Sequence, residues 1–77
     1  MAFIRISCVD GFDYALDLTD ADIEVIVNLT HGQAIMLPDF RRKYIGEQKA
    51  YRKGDQISIG TWTFRRNDLL DAFAKLD

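Results

Sequence analysis

Residues 2–18 place the tightest constraint on what this chain can fold into. Ala2 to Val9 alternates, with Ile4, Ile6 and Cys8 on one side and Phe3, Arg5, Ser7 and Val9 on the other, which is the period of a half-buried strand. Phe12 to Leu18 alternates again, its apolar side made of Phe12, Tyr14, Leu16 and Leu18 opposite Asp13, Ala15 and Asp17. Asp10-Gly11 between the two runs predicts a hairpin. A two-residue loop would set Ile4 opposite Asp17 and split the apolar sides. A three-residue loop, Val9-Asp10-Gly11 with Gly11 left-handed, pairs Cys8 with Phe12, Ile6 with Tyr14 and Ile4 with Leu16. One apolar face results, and Arg5 lies diagonal to Asp13 and Asp17 on the other.

Leu18-Thr19-Asp20-Ala21-Asp22-Ile23 predicts a helix start. Thr19 is the N-cap, Asp22 the capping-box acid, and Leu18 with Ile23 the hydrophobic staple. Asp20, Asp22 and Glu24 favour the positive helix end, and His31 and Gly32 read as its last turn and left-handed cap. Ile23, Ile26, Val27 and Thr30 share a face that should lie on the apolar side of the hairpin.

Ala34 to Leu37 reads as a third strand that Pro38 ends, with an edge position favoured by the proline. Asp39 to Ala50 admits either a helical turn broken at Gly46 or a strand-like excursion bringing Phe40, Tyr44 and Tyr51 to the core. With no dominant period it is read as an irregular, basic, mobile connection. After Lys53-Gly54-Asp55, a II′ turn at Gly60-Thr61 pairs Ile59 with Trp62 and Ile57 with Phe64. Asn67 is then a good N-cap for a short helix carrying Leu69, Leu70, Phe73 and Leu76, which must dock to be stable. The expected fold is a small α+β domain over 1–77, an antiparallel sheet in the order ββαβ, a basic connection, ββα, with the helices on one face.

A chain of 77 residues, 48% of them hydrophobic, has room for one core, with a stability margin of roughly 3–5 kcal/mol. Cys8 is the only cysteine, so an internal disulfide and a Cys-rich metal site are excluded, and a reducing, cytoplasmic setting is the expectation. No basic-then-apolar leader and no apolar run near 18 residues is present, so neither secretion nor membrane insertion is expected.

Charge is distributed unevenly. Residues 1–40 hold Asp10, Asp13, Asp17, Asp20, Asp22, Glu24 and Asp39 against Arg5 alone. Residues 41–66 hold eight of the ten basic residues against Glu47 and Asp55. Catalysis has little to work with. Cys8 and His31 are the only members of a Cys–His pair, no G-x-S-x-G elbow surrounds a serine, and no Gly-rich phosphate loop occurs. A loose cation site from Asp13 and Asp17 or from Asp20 and Glu24 is explained more simply as solvated charge at a helix start. The expectation is a non-enzymatic chain without cofactor or metal.

Two surfaces remain. Asp10, Asp13, Asp17, Asp20 and Glu24 form an acidic face suited to a basic surface on a protein partner, a protein that binds nucleic acid being one target because carboxylates can stand in for phosphates. Small inhibitors of the kind phages encode share this size and lack of catalytic residues, an analogy of size and composition alone. Arg41, Arg42, Lys43, Tyr44, Lys49, Tyr51, Arg52, Lys53, Arg65 and Arg66 form a basic face that offers cations for phosphates and rings for unstacked bases. Pairing of the two faces would make a homodimer, the route to a self-assembling accessory protein. A regulatory or inhibitory docking protein is the first expectation, a nucleic-acid-binding module the alternative.

Overall fold

The computed structural model describes the backbone of residues 2–42 and 46–76 and the side chains of residues 4–40 and 48–76. The elements run β1 (Ala2–Ser7), β2 (Asp13–Leu18), α1 (Asp20–Asn28), β3 (Ala34–Arg42), β4 (Gly46–Lys53), β5 (Gln56–Ile59), β6 (Trp62–Arg65) and α2 (Arg66–Ala74). This is a small α+β fold built from antiparallel sheets. β1 and β2 form one sheet, and β3-β4-β5-β6 form a second in that order.

The first hairpin has the three-residue loop that its sequence requires. Ile4 pairs with Leu16 and Ile6 with Tyr14, the Cys8 amide donates to the Phe12 carbonyl at 2.8 Å, and Gly11 has φ +93. The two sheets are then joined by one antiparallel bridge between Cys8 and Phe64, supported by the Val9 amide donating to the Thr63 carbonyl at 2.9 Å. The continuous order is therefore β2-β1-β6-β5-β4-β3, with outer strands β2 and β3 in contact. The sheet curls towards closure and leaves two seams. α1 packs on β3 and β2 across one seam, and α2 packs on β1 and β6 across the other.

Both helices close on the same apolar side. Ile4, Ile6, Leu16, Leu18, Ile57, Ile59 and Phe64 from the strands meet Ile26 and Leu29 from the α1 end and Leu69 from α2 in one cluster. Each such side chain contributes about 1.5–3 kcal/mol when fully buried. Ile59 pairs with Trp62 and Ile57 with Phe64. Gly60 has φ +63, and among the described residues none other than glycine has a positive φ, which is the pattern of a II′ turn. Tyr14 stacks on Trp62 at 5.0 Å between ring centroids, tying β2 to β6 over the bridge.

Several expectations need correction. On either side of residues 43–45, which lie outside the described residues, the basic segment is strand and not an irregular connection, since β3 continues through Pro38 to Arg42 and β4 occupies Gly46–Lys53. β4 escapes detection because its inward positions are Gln48, Ala50 and Arg52, polar or small, so no apolar alternation marks it. β3 is an edge strand, as Pro38 requires, but the proline sits in an irregularity rather than at a terminus. Met36 pairs with Lys49 and Arg41 with Glu47, so Leu37, Pro38, Asp39 and Phe40 all stand opposite Gln48. Both Leu37 and Phe40 can thereby turn inward, and both are buried.

α1 has its Thr19 capping box but ends at Asn28 with Leu29 as the C-cap. His31 and Gly32 are not its cap. They form a turn in which the Gly32 amide donates to the Arg52 carbonyl at 2.7 Å and His31 Nδ1 accepts from the Gly54 amide at 2.7 Å. The inward face of α1 is Asp22, Ile26 and Leu29 rather than one that includes Val27 and Thr30, which are exposed. α2 starts two residues early, with Arg65 as an N-cap that makes no side-chain capping bond. Asn67 lies inside the helix. Phe12, expected on the apolar side of its strand, stands out in solvent.

Candidate functional site

Cys8 and His31 do not form a catalytic pair. The Cys8 thiol is buried at the β1–β6 seam and donates to the Thr63 carbonyl at 3.0 Å, while His31 is exposed and holds the Gly54 amide. Among the described residues no group of three or more His, Cys, Asp or Glu side chains is arranged to hold a metal ion. Nor, among them, is any helix long and apolar enough to cross a membrane.

The acidic residues form a line rather than a cluster. Asp13 and Asp17 occupy the exposed face of β2, four residues and so about 13 Å apart. Arg5 faces Ala15 between them. Asp20 opens α1, with Glu24 one turn further on, and both are exposed. Two of the five carboxylates already serve the hairpin. Asp10 Oδ1 accepts the Phe12 amide at 3.0 Å, and Asp13 Oδ1 accepts the Ser7 hydroxyl at 2.6 Å. The carboxylates of Asp17, Asp20 and Glu24 make no hydrogen bond or ion pair among the described residues.

At the tip of this line stands Phe12, 68% exposed. Its backbone is fixed on both sides, by the Asp10 carboxylate at its N–H and by the Cys8 amide at its carbonyl. The neighbouring strand end is anchored to β6 through Val9 and Thr63. A large ring is therefore held in water by a rigid turn, with Val9 also exposed beside it. Sequence reasoning placed Phe12 by alternation and missed that the loop carries it past the end of the core. The signal was the loop length itself, which sets Phe12 opposite the last strand residue.

The basic face divides in two. On β4, Lys49, Tyr51 and Lys53 point outward while Arg52 points inward. Arg52 is a structural cap, its Nη1 donating to the Leu29 carbonyl at the end of α1 at 2.9 Å and its Nε to the Gly54 carbonyl at 2.9 Å. Arg65 is exposed and 3.9 Å from Asp68. Arg66 is half-buried, its amide donating to the Asp55 carbonyl and its Nε buried without a hydrogen-bond partner. Lys43 and Tyr44 lie outside the described residues, as do the side chains of Arg41 and Arg42.

Two shallow grooves flank the helices. One of about 520 Å³ between β1 and α2 carries Arg5 and Lys75 together with Asp68 and Asp71, charges of both signs that select neither anion nor cation. The other, about 500 Å³, has Val25, Ile35 and Pro38 on its walls and Glu24 at its rim, and so adjoins the acidic line. Comparison of the chain with protein-family models, with curated proteins and with solved structures gives no match.

Proposed function

We propose that this chain is a non-catalytic regulatory or inhibitory protein that docks on a protein partner through the tip of the β1–β2 hairpin. Exposed Phe12 on its braced turn carries this reading. An aromatic ring already fixed in place loses little freedom on binding, which is what makes such residues anchors at interfaces. The carboxylates of Asp17, Asp20 and Glu24 extend from the anchor and steer it towards a basic surface. A protein that binds nucleic acid has such a surface, since it is shaped to receive a row of negative charge.

The test is capture from the native host with the immobilised chain, comparing wild type with Phe12→Ala and with the triple reversal Asp17→Lys, Asp20→Lys, Glu24→Lys. One protein retained in stoichiometric amount by wild type and lost by both variants supports the reading. Equal retention by all three sinks it, as does capture of nothing but further copies of the chain itself.

A further inference from the structure

The outer face of the β3–β6 sheet carries a second surface of opposite charge. Strand register fixes its layout. Met36 lies beside Lys49, Ala34 beside Tyr51, Tyr51 beside Ser58 and Lys53 beside Gln56, and Ser58 beside Thr63 and Gln56 beside Arg65. Tyr51 thus sits at the centre, 40% exposed, with Met36 exposed nearby. Lys49 and Lys53 flank the ring at about 7 Å along the strand, and Arg65 stands two strands away from Lys53, about 10 Å across the sheet. Ser58 and Thr63 bond to each other at 3.0 Å and leave the floor polar. Among the described residues the nearby carboxylates are Asp55 at the β4–β5 turn and Asp68, which meets Arg65 only at 3.9 Å.

A second feature bears on the same surface. α2 opens on Arg65 and Arg66, with no side-chain cap. Two cations at the positive end of a helix oppose its dipole, and a capping position filled by arginine forgoes the bond that Ser, Thr, Asp or Asn would make. Nothing in the packing of α2 requires the exposed Arg65 side chain. An anion seated beside it would offset both costs.

We infer that this face binds single-stranded nucleic acid, with Tyr51 as the stacking platform for an unstacked base and Lys49, Lys53 and Arg65 as the phosphate contacts. A pleated sheet face with an exposed ring presents that ring flat to a splayed base, which a paired and stacked duplex does not offer. This surface is separate from the hairpin tip, so it stands whether or not the docking role does.

Fluorescence anisotropy with labelled dT20, rU20 and a duplex of matched length, read between about 50 and 200 mM salt, tests it. The expected result is binding of single strand over duplex, weakening with salt as contacts to phosphate require. The dT20 and rU20 arms distinguish DNA from RNA. Tyr51→Ala should weaken binding roughly tenfold or more and Tyr51→Phe should restore it, because stacking needs only the ring. Lys49→Ala, Lys53→Ala and Arg65→Ala together should abolish it, while Lys75→Ala on α2 removes the same kind of charge without effect. These side chains are on the outer face, and a circular dichroism spectrum matching wild type verifies that each variant is folded. No association at 50 mM salt overturns the inference, as does tighter binding of duplex or equal affinity for Tyr51→Ala.

Discussion

The carboxylate of Asp22 on α1 accepts the main-chain amide of Phe40 on β3 at 3.2 Å, and the same oxygen accepts the amide of Asp39 at 2.9 Å. Its other oxygen accepts the Thr19 amide at 3.2 Å, while the Thr19 hydroxyl donates to Asp39 at 2.7 Å. β3 has more residues here than β4 can pair, and Pro38 has no N–H to give. The two amides that the ladder cannot use are satisfied by a fully buried side chain from the helix. The capping box of α1 and the irregularity of β3 are thus one structure, which closes the seam between β2 and β3.

Removing this acid should be among the most damaging single changes in the chain. Asp22→Ala leaves three amides without their acceptor, at about 1–3 kcal/mol for each that stays buried. A domain of this size has only about 3–5 kcal/mol to lose, so the variant should be largely unfolded at room temperature. Asp22→Asn retains one carbonyl oxygen for Asp39 and Phe40 but turns an NH₂ towards the Thr19 amide, and should lose about 1–2 kcal/mol. Urea unfolding followed by the fluorescence of Trp62, which stacks on Tyr14, gives both values.

The turn glycines should differ in sensitivity. Gly11 has φ +93 and open space around it, whereas a Cβ at Gly60, φ +63, would run into the side chain of Gln48. Gln48 is buried, so it has little room to yield. Gly11→Ala should lose about 1 kcal/mol from the backbone conformation alone. Gly60→Ala should lose about 2 kcal/mol or more, from backbone strain together with the displacement of Gln48, and the urea midpoints of the two variants check the order.

Adjacent basic residues on β4 should behave oppositely. Arg52→Ala removes the donor from the Leu29 carbonyl and from Gly54, and should lower stability by about 2 kcal/mol. Lys53→Ala, at an exposed position, should stay within about 0.5 kcal/mol of wild type. Thermal unfolding of the two variants decides whether the basic stretch is one surface or a cap beside a surface.

Arg65 offers a separation of stability from binding. Arg65→Ser supplies the missing N-cap, with Asp68 at the third helical position to complete a capping box. It should raise stability by about 1 kcal/mol while weakening oligonucleotide binding. A loss of stability would show that the arginine is there for the fold, and unchanged or tighter oligonucleotide binding would contradict its role as a phosphate contact.

The elements with a strong local signal were legible in the sequence. The Asp10-Gly11 hairpin, the Thr19 capping box and the Ile57–Phe64 pairing each follow from side-chain alternation or from turn residues that admit one conformation. The basic strand was not legible, because Gln48, Ala50 and Arg52 face inward where apolar residues would mark a strand, and because its partner β3 breaks period at Pro38. What rescues that pairing is Asp22, a residue of another element, and such a tertiary bond leaves no local pattern. The candidate surfaces were readable by composition but not by membership. Arg52 and Arg66 look like Lys53 and Arg65 in sequence, and only strand register separates a helix cap from an exposed cation.

The docking role rests on Phe12 more than on any carboxylate, and quantitative capture from the native host tests it most directly. Phe12→Ala should fold with wild-type stability, since the ring is in water, yet retain at least about thirtyfold less of the partner, the loss expected of an interface anchor near 2 kcal/mol. Wild-type retention by a folded Phe12→Ala chain would contradict the account.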